Sequence, residues 1–142
     1  MKEQDLIGTW DLQRFWFTDD GGVETDPLGA DAVGHLLFNG DGHYAFTMMR
    51  RDRTPYASGD LLGGSMAEKS GAADGYVSFG GAWSFDGVAI TFGIAYSFFP
   101  NWVGGTQQRL ASLDNGELLL RTRGAIPMAG KVHRGAARWK KF

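Results

Sequence analysis

Between Val88 and Phe98, large and small side chains alternate at every position. The even positions carry Val, Ile, Phe, Ile, Tyr and Phe, and the odd positions carry Ala, Thr, Gly, Ala and Ser. Successive side chains of a β-strand point to opposite faces, so this pattern predicts a strand with one bulky face. The same two-residue period recurs along most of the chain, which therefore indicates an all-β fold.

The alternating runs are separated by turn signals, of which Asn39-Gly40-Asp41-Gly42 is the clearest hairpin turn. Eight antiparallel strands in up-and-down order can close into a barrel that holds side chains or one small ligand. We therefore predict such a barrel, built as a single domain over residues 1–142. The predicted strands are Leu6–Thr18, Gly34–Asn39, His43–Arg50, Tyr76–Phe85, Val88–Phe98, Thr106–Leu113, Glu117–Arg123 and Val132–Lys141.

One segment interrupts the strand pattern. Ser65 and Glu68 form a capping box, in which each side chain binds the other residue's backbone N–H. This predicts one short helix over Met66–Ala73, which we expect to close one end of the barrel.

Alternation also predicts which side chains share a face. In the first strand, Trp10, Leu12, Arg14 and Trp16 fall on one face, and Phe15 and Phe17 fall on the other. In the third predicted strand, one face carries Tyr44, Phe46, Met48 and Arg50.

Composition excludes several classes of function. With 14 basic and 16 acidic residues the net charge is −2, which lacks the basic footprint of a nucleic-acid-binding protein. There is no cysteine and no apolar stretch near the roughly 18 residues of a membrane helix. The first ten residues lack the basic and then apolar run of a signal peptide, so we expect a cytoplasmic protein without membrane contact.

Three motifs resemble a known family. Gly8-Thr9-Trp10 is similar to the Gly-x-Trp pattern that opens lipocalin-type barrels, and the segments 27–53 and 98–104 strengthen the likeness. Together they resemble the bacterial and fungal lipocalin-like domain family of calycin-type β-barrels, from about Leu6 to Thr122. The resemblance implies an eight-stranded or slightly larger barrel with an internal cavity. Related lipocalin-like barrels include both passive carriers and enzymes that fold a polyene or rearrange a polyketide. Histidines common in that family are replaced here by Phe92 and Gly93, so chemistry that needs those imidazoles is not expected.

The predicted ligand-binding residues are mostly aromatic. A rival interpretation is that these rings simply fill the barrel. A cavity is expected chiefly because the resemblance implies one, and the small residues and Met48 among the rings leave room for it. The set consists of Trp16, Tyr44, Met48, Phe79, Trp83, Tyr96, Phe98 and Trp102.

Two arginines are candidates for orienting the ligand. A buried guanidinium needs a partner, so Arg50 or Arg109 is expected to bind a carboxylate, enolate or carbonyl group. Asp52 and Asp60 are candidate ion-pair partners of Arg50, and the alternative role for either of them is that of a general base. The alternative is that Arg14 or Arg109 binds carbonyls at a barrel end or stacks on Trp10. The three histidines (His35, His43 and His133) lack ligand spacing, so no metal site and no cofactor are predicted.

These observations leave three functions open. The leading one is the binding of a small hydrophobic molecule, aromatic or polyketide-like, in the barrel cavity. The second is a cofactor-independent isomerase or cyclase of secondary metabolism, in which Arg50 or Tyr96 polarises a carbonyl as the catalytic residue. The third is a protein-interaction module that uses Phe15 and Phe17, and a homodimer stays open.

Overall fold

A computed structural model describes all residues, 1–142, and consists almost entirely of antiparallel strands. Two α-helices and one 3-10 turn, Pro100–Trp102, accompany eleven strands. In chain order the helices and strands are α1 (Glu3–Leu6), β1 (Gly8–Asp19), β2 (Glu24–Thr25), β3 (Val33–Phe38), β4 (His43–Met49), α2 (Met66–Asp74), β5 (Tyr76–Phe85), β6 (Ala89–Gly93), β7 (Tyr96–Ser97), β8 (Thr106–Asp114), β9 (Glu117–Thr122), β10 (Ile126–Met128) and β11 (Lys131–Lys141).

Eight of these strands close into a barrel. Their order is β1-β3-β4-β5-β6-β8-β9-β11, and β11 pairs back with β1 to complete the ring. The three short strands are additions, because β2 pairs with β1, β7 with β5 and β10 with β11. The predicted eight-stranded antiparallel barrel is confirmed. None of the helices has the length and apolar character needed to cross a bilayer.

One end of the barrel is closed by α1. The Leu6 side chain is fully buried, and its carbonyl accepts a hydrogen bond of 2.8 Å from the Trp10 indole. The ammonium group of Lys141 lies 5.3 Å from the centre of the Trp10 ring. Gly8, two residues before this tryptophan, has a φ of +134°, a backbone conformation that residues with a Cβ rarely adopt, which explains the glycine at this position. The predicted stacking of Arg14 or Arg109 on Trp10 is therefore wrong, because Lys141 takes that place.

A β-bulge divides β1 into two halves. Leu12 pairs with Trp139, but Arg14 pairs with Arg138, so Gln13 is an extra residue without a partner on β11. An extra residue shifts the alternation by one position and exchanges the two faces of the strand. The faces predicted for the second half of β1 are consequently wrong.

The long run from Val88 to Phe98 is also interrupted. Trp83 pairs with Phe92, and Gly80 pairs with Tyr96. The two residues on β5 are three positions apart and their partners are four apart, so the partner segment contains one extra residue. The large residues in the first part, at positions 90, 92 and 94, are buried as predicted. Beyond the irregularity the face is reversed, and Tyr96 and Phe98 are 58% and 46% exposed.

The helix predicted from the capping box is confirmed. Ser65 Oγ accepts a hydrogen bond from the Glu68 N–H, and the Glu68 carboxylate accepts one from the Ser65 N–H. Its other oxygen accepts a hydrogen bond from Ala57 N–H, which ties the preceding loop to the helix. No residue of α2 is fully buried. Its last residue, Asp74, contributes to the rim of a cavity described below.

The barrel interior is packed with side chains in the half next to α1. The other half, towards α2 and β10, is hollow. The buried side chains of the packed half include Leu6, Trp10, Leu12, Leu36, Phe38, Tyr44, Trp83, Ile90, Leu118 and Trp139.

Candidate functional site

The hollow half of the barrel is a cavity of about 290 Å³ with mostly apolar walls. Fourteen of the twenty residues that line it are hydrophobic. Cavities of this size and character stand at the lower end of the range for small-molecule sites, roughly 300–1,000 Å³. The lining residues are Phe15, Phe17, Pro27, Leu28, Phe46, Met48, Asp74, Val77, Phe79, Phe92, Trp102, Arg109, Leu120, Thr122, Ile126, Pro127, Met128, Gly135, Ala136 and Ala137.

Aromatic rings form the inner part of this cavity around Phe79. The Phe79 ring is stacked on Phe46, with 4.5 Å between ring centres. It meets Trp102 edge to face at 5.5 Å and Phe92 at 6.3 Å. These rings come from β4, β5, β6 and the 3-10 turn. A ring already held by neighbouring rings loses little freedom when a ligand packs against it.

The rim is built from segments outside the eight-stranded ring. Pro27 and Leu28 belong to the loop after β2, and Asp74 ends α2. The strand β10, Ile126–Met128, lines the same region and pairs only with β11. The barrel wall is thus extended beyond its strands on this side, opposite the end that α1 closes.

Arg109 is the only basic residue among the lining residues. Its Nη1 donates hydrogen bonds to the Gln107 Oε1 atom at 3.1 Å and to the Gln108 carbonyl at 3.0 Å. No carboxylate lies within ion-pair distance of the guanidinium. Protein atoms surround it closely, and this burial lowers the pKa of Arg109 to about 10, so the group is still charged at neutral pH.

Thr122 lies directly opposite Arg109 on the neighbouring strand β9. Its Oγ1 accepts a hydrogen bond of 3.0 Å from the Gly135 N–H, so the hydroxyl proton is free to be donated. Directly opposed residues have Cβ atoms about 4.5–5.5 Å apart. Arg109 and Thr122 therefore form one polar corner in an otherwise apolar cavity, and we call them the polar corner below.

The sequence model of the lipocalin-like domain family matches residues 7–142, almost the whole chain. The chain belongs to this family. This lipocalin-like domain is similar to the crystal structure of a lipocalin-like protein from Bacteroides uniformis, and the similarity covers 97% of this chain and 99% of that chain. The sequence identity is 17% and the TM-score is 0.49. No curated protein matches the chain.

Four of the predicted ligand-binding residues line the cavity of this lipocalin-like domain. Met48 lies on β4, Phe79 on β5, Trp102 in the 3-10 turn and Arg109 on β8. The structure therefore brings together one charged group, one flexible apolar side chain and two rings from the predicted set.

Tyr44 and Trp83 lie inside the barrel but in its packed half. The Tyr44 hydroxyl donates a hydrogen bond of 3.0 Å to the Gly93 carbonyl, and burial raises the pKa of Tyr44 above its usual range. The Trp83 indole donates one of 3.1 Å to the Asn39 carbonyl. Both polar groups are thus satisfied by backbone. Here the rival interpretation, rings that fill the barrel, describes the structure.

Trp16 faces away from the cavity, contrary to the prediction. Its ring lies between two guanidinium groups on the outside of the barrel, that of Arg14 at 4.6 Å and that of Arg138 at 5.4 Å. Arg14 also binds both carboxylate oxygens of Asp26, through Nε at 3.0 Å and Nη2 at 3.3 Å. The cause is the bulge at Gln13, which turns Arg14 and Trp16 outward.

Tyr96, Phe98 and Arg50 are likewise absent from the cavity lining. The Tyr96 ring lies across Gly80 on the outside of β5, and Phe98 contacts Tyr76 with 6.1 Å between ring centres. The Arg50 guanidinium donates to the Pro27 carbonyl at 3.0 Å and forms no ion pair with Asp52 or Asp60. The expectation that these three residues point into the cavity is wrong.

Sequence reasoning assigned Phe15 and Phe17 to the outer surface, whereas both line the cavity. The interaction module proposed for them is contradicted, because the two rings are turned inward and pack 5.2 Å apart. A signal for the bulge was present in the chain. The spacing Trp10, Leu12, Phe15, Phe17 keeps a period of two on each side of position 13 and shifts by one residue there.

The histidines lie apart from one another. His35 and His43 are exposed, and each lies near an aspartate. His133 is buried against Phe17, with ring centres 6.2 Å apart, and its Nδ1 lies 3.2 Å from the Lys131 carbonyl. No three His, Cys, Asp or Glu side chains come together as a metal-binding group.

Proposed function

We propose that this lipocalin-like domain binds a small hydrophobic molecule, aromatic or polyketide-like, in the hollow half of its barrel. The observation that supports this most is the cavity itself, about 290 Å³ with fourteen hydrophobic lining residues. A void of this size in a protein interior forfeits packing energy, and about 20 cal/mol is lost per Å² of cavity surface. A ligand that fills it regains those contacts.

The character of the walls supports an aromatic ligand. Phe46, Phe79, Phe92 and Trp102 present ring faces and edges to the cavity from fixed positions. Aromatic pairs prefer offset or edge-to-face contact at 4.5–7 Å between centres, and each such pair contributes about 0.5–1.5 kcal/mol beyond area burial. Met48 adds a flexible side chain that adapts to an irregular ligand surface.

The alternative function, a cofactor-independent isomerase or cyclase, is less well supported. It depended on Arg50 or Tyr96 as the group that polarises a carbonyl, and neither of them lines the cavity. Asp74, the only carboxylate among the lining residues, is exposed at the rim. Binding therefore accounts for the arrangement better than catalysis does.

The test is a titration of intrinsic tryptophan fluorescence with a panel of aromatic and polyketide-type compounds. Trp102 lies in the cavity wall, so a bound compound changes its emission, and the change is expected to be lost in Trp102→Phe. A response that is flat across the panel would count against binding.

A cavity-filling variant provides the matched comparison. Ala137 lines the cavity and is 8% exposed, so Ala137→Leu fills part of the space and should weaken binding by about 10-fold or more. Ala45 lies on the outer face of β4, between the inward-facing Tyr44 and Phe46, so Ala45→Leu should leave binding unchanged. Equal affinity of the two variants would place the ligand elsewhere.

A further inference from the structure

The guanidinium of Arg109 has unused hydrogen-bonding capacity. Of its five N–H groups, those on Nη1 are engaged with Gln107 and Gln108, while Nε and Nη2 have no acceptor in the chain. The free side is the Nε–Nη2 edge, which binds carboxylates through two parallel hydrogen bonds.

The same chain shows what this edge does when a carboxylate is present. Arg14 uses Nε and Nη2 to bind the two oxygens of Asp26, at 3.0 and 3.3 Å. Arg14 lies on the outside of the barrel, where water also solvates it. Arg109 is half-buried in a cavity whose walls are mostly apolar and has no such partner, although a charge withdrawn from water is costly unless it is paired.

A second donor lies on the strand next to Arg109 and lines the same cavity. Thr122, opposite Arg109 in the pairing of β8 and β9, uses its oxygen to accept from Gly135 N–H and keeps its hydroxyl proton free. The free hydrogen-bonding groups of the polar corner are therefore mainly donors, namely two guanidinium nitrogens and one hydroxyl. The sole carboxylate of the lining, Asp74, is exposed at the rim and forms no ion pair with Arg109.

We propose that the ligand of this cavity is an organic anion, an aromatic or polycyclic carboxylate whose acidic group binds Arg109 and Thr122 while its rings pack against Phe79 and Phe92. This inference rests on the proposed function, since it names the chemical class of the molecule that the cavity binds. The carboxylate supplies the acceptors and the negative charge that the polar corner lacks. A neutral ligand of equal size would leave the guanidinium unpaired.

The test compares two probes of nearly equal shape, 2-naphthoate and 2-naphthylmethanol, by calorimetric titration at pH 7. The wild-type protein is expected to bind the carboxylate about 10- to 100-fold more tightly than the alcohol, the range given by a hydrogen bond to a charged group. In Arg109→Gln this preference should disappear while the alcohol still binds. In Arg109→Lys, which keeps the charge but not the two-pronged edge, the preference should be intermediate.

The control is Arg121→Gln, because Arg121 is exposed on the outer face of β9, and its preference should equal that of the wild type. Equal affinity of the wild type for both probes would overturn the anion proposal and leave the cavity proposal standing. A preference for naphthoate that survives in Arg109→Gln would overturn the role of Arg109. If the wild type bound neither probe, and Ala137→Leu behaved in the same way as the wild type, both proposals would be overturned.

Discussion

Lys141 lies over Trp10, with its ammonium nitrogen 5.3 Å from the centre of the indole ring and 3.2 Å from the carbonyl of Asp5. This contact joins the last strand to the first and to α1 at the closed end of the barrel. It combines a cation–π interaction with a hydrogen bond from a charged donor.

We expect Lys141→Ala to lower the free energy of unfolding by about 1 kcal/mol, because it removes the cation–π contact and the bond to Asp5. For a domain of this size, this corresponds to about 2–4 °C in Tm. Thermal unfolding followed by circular dichroism measures it. Lys140 is exposed and lacks these contacts, so a comparable loss in Lys140→Ala would refute the role assigned to Lys141.

The bulge in β1 predicts an unusual pattern of tolerance to deletion. Removing Gln13 restores strict alternation and keeps Trp10, Phe15 and Phe17 on the inside, so this deletion should yield a folded barrel. Removing Asp11 instead turns Trp10 to the outside and should abolish cooperative unfolding. Expression and denaturant unfolding of the two single-residue deletions test this. If both deletions were equally damaging, the placement of the extra residue at position 13 would be wrong.

The close approach of Tyr96 to Gly80 predicts a non-additive pair of substitutions. A Cβ on Gly80 would collide with the Tyr96 ring, so Gly80→Ala should destabilise the fold by about 1–3 kcal/mol. In a Tyr96→Ala background the colliding ring is absent, and the same Gly80→Ala change should cost much less. A double-mutant cycle in urea measures the coupling. Strict additivity would show that the ring does not lie over Gly80 in solution.

We expect burial of the Arg109 guanidinium to lower the stability of the folded protein. Its folded-state pKa of about 10 lies below the ordinary value of 12.5, so the unfolded chain holds this proton more tightly than the folded protein does. The cost of burying the charge is therefore fully present below pH 10 and is relieved as the pH rises from 10 towards 12.5. We expect Arg109→Met to raise the free energy of unfolding by about 1–3 kcal/mol at pH 7.

The measurement is urea unfolding of wild type and Arg109→Met at pH 7 and again above pH 10. The stability difference should shrink at the higher pH, because wild-type Arg109 then loses its charge in the folded state. Subtracting the variant removes the contributions of other groups that titrate there. A less stable Arg109→Met at pH 7 would show that the guanidinium has a stabilising partner in the protein.

The sequence was most informative where local chemistry decides the structure. The Asn39–Gly42 turn and the capping box at Ser65 and Glu68 act through hydrogen bonds within a few residues, and β4, β5 and α2 begin within one residue of their predicted starts. Strand pairing over these segments follows from the short connections. Closure of the ring then requires only that β11 reach β1.

The interior faces were harder to predict, because one extra residue reverses every side chain that follows it. For this reason the predicted inner and outer faces were reversed for Trp16 and for Phe15 and Phe17. The irregularity opposite Gly80 likewise reversed the predicted face of Tyr96. The glycine pair at 80 and 81 in β5 is a local signal of a close backbone approach. The strand β10 escaped detection because it is three residues long and contains Pro127, which ordinarily indicates a loop.

Closure of the barrel at Leu6 and Trp10 has a kinetic consequence for the proposed ligand. With that end packed, a ligand in the cavity would enter and leave through the same opening. The group that enters first would then lie deepest, among the rings of Phe46 and Phe79. The dissociation rate would accordingly depend on the segments at the opening, which are Pro27, Leu28 and the short strand Ile126–Met128.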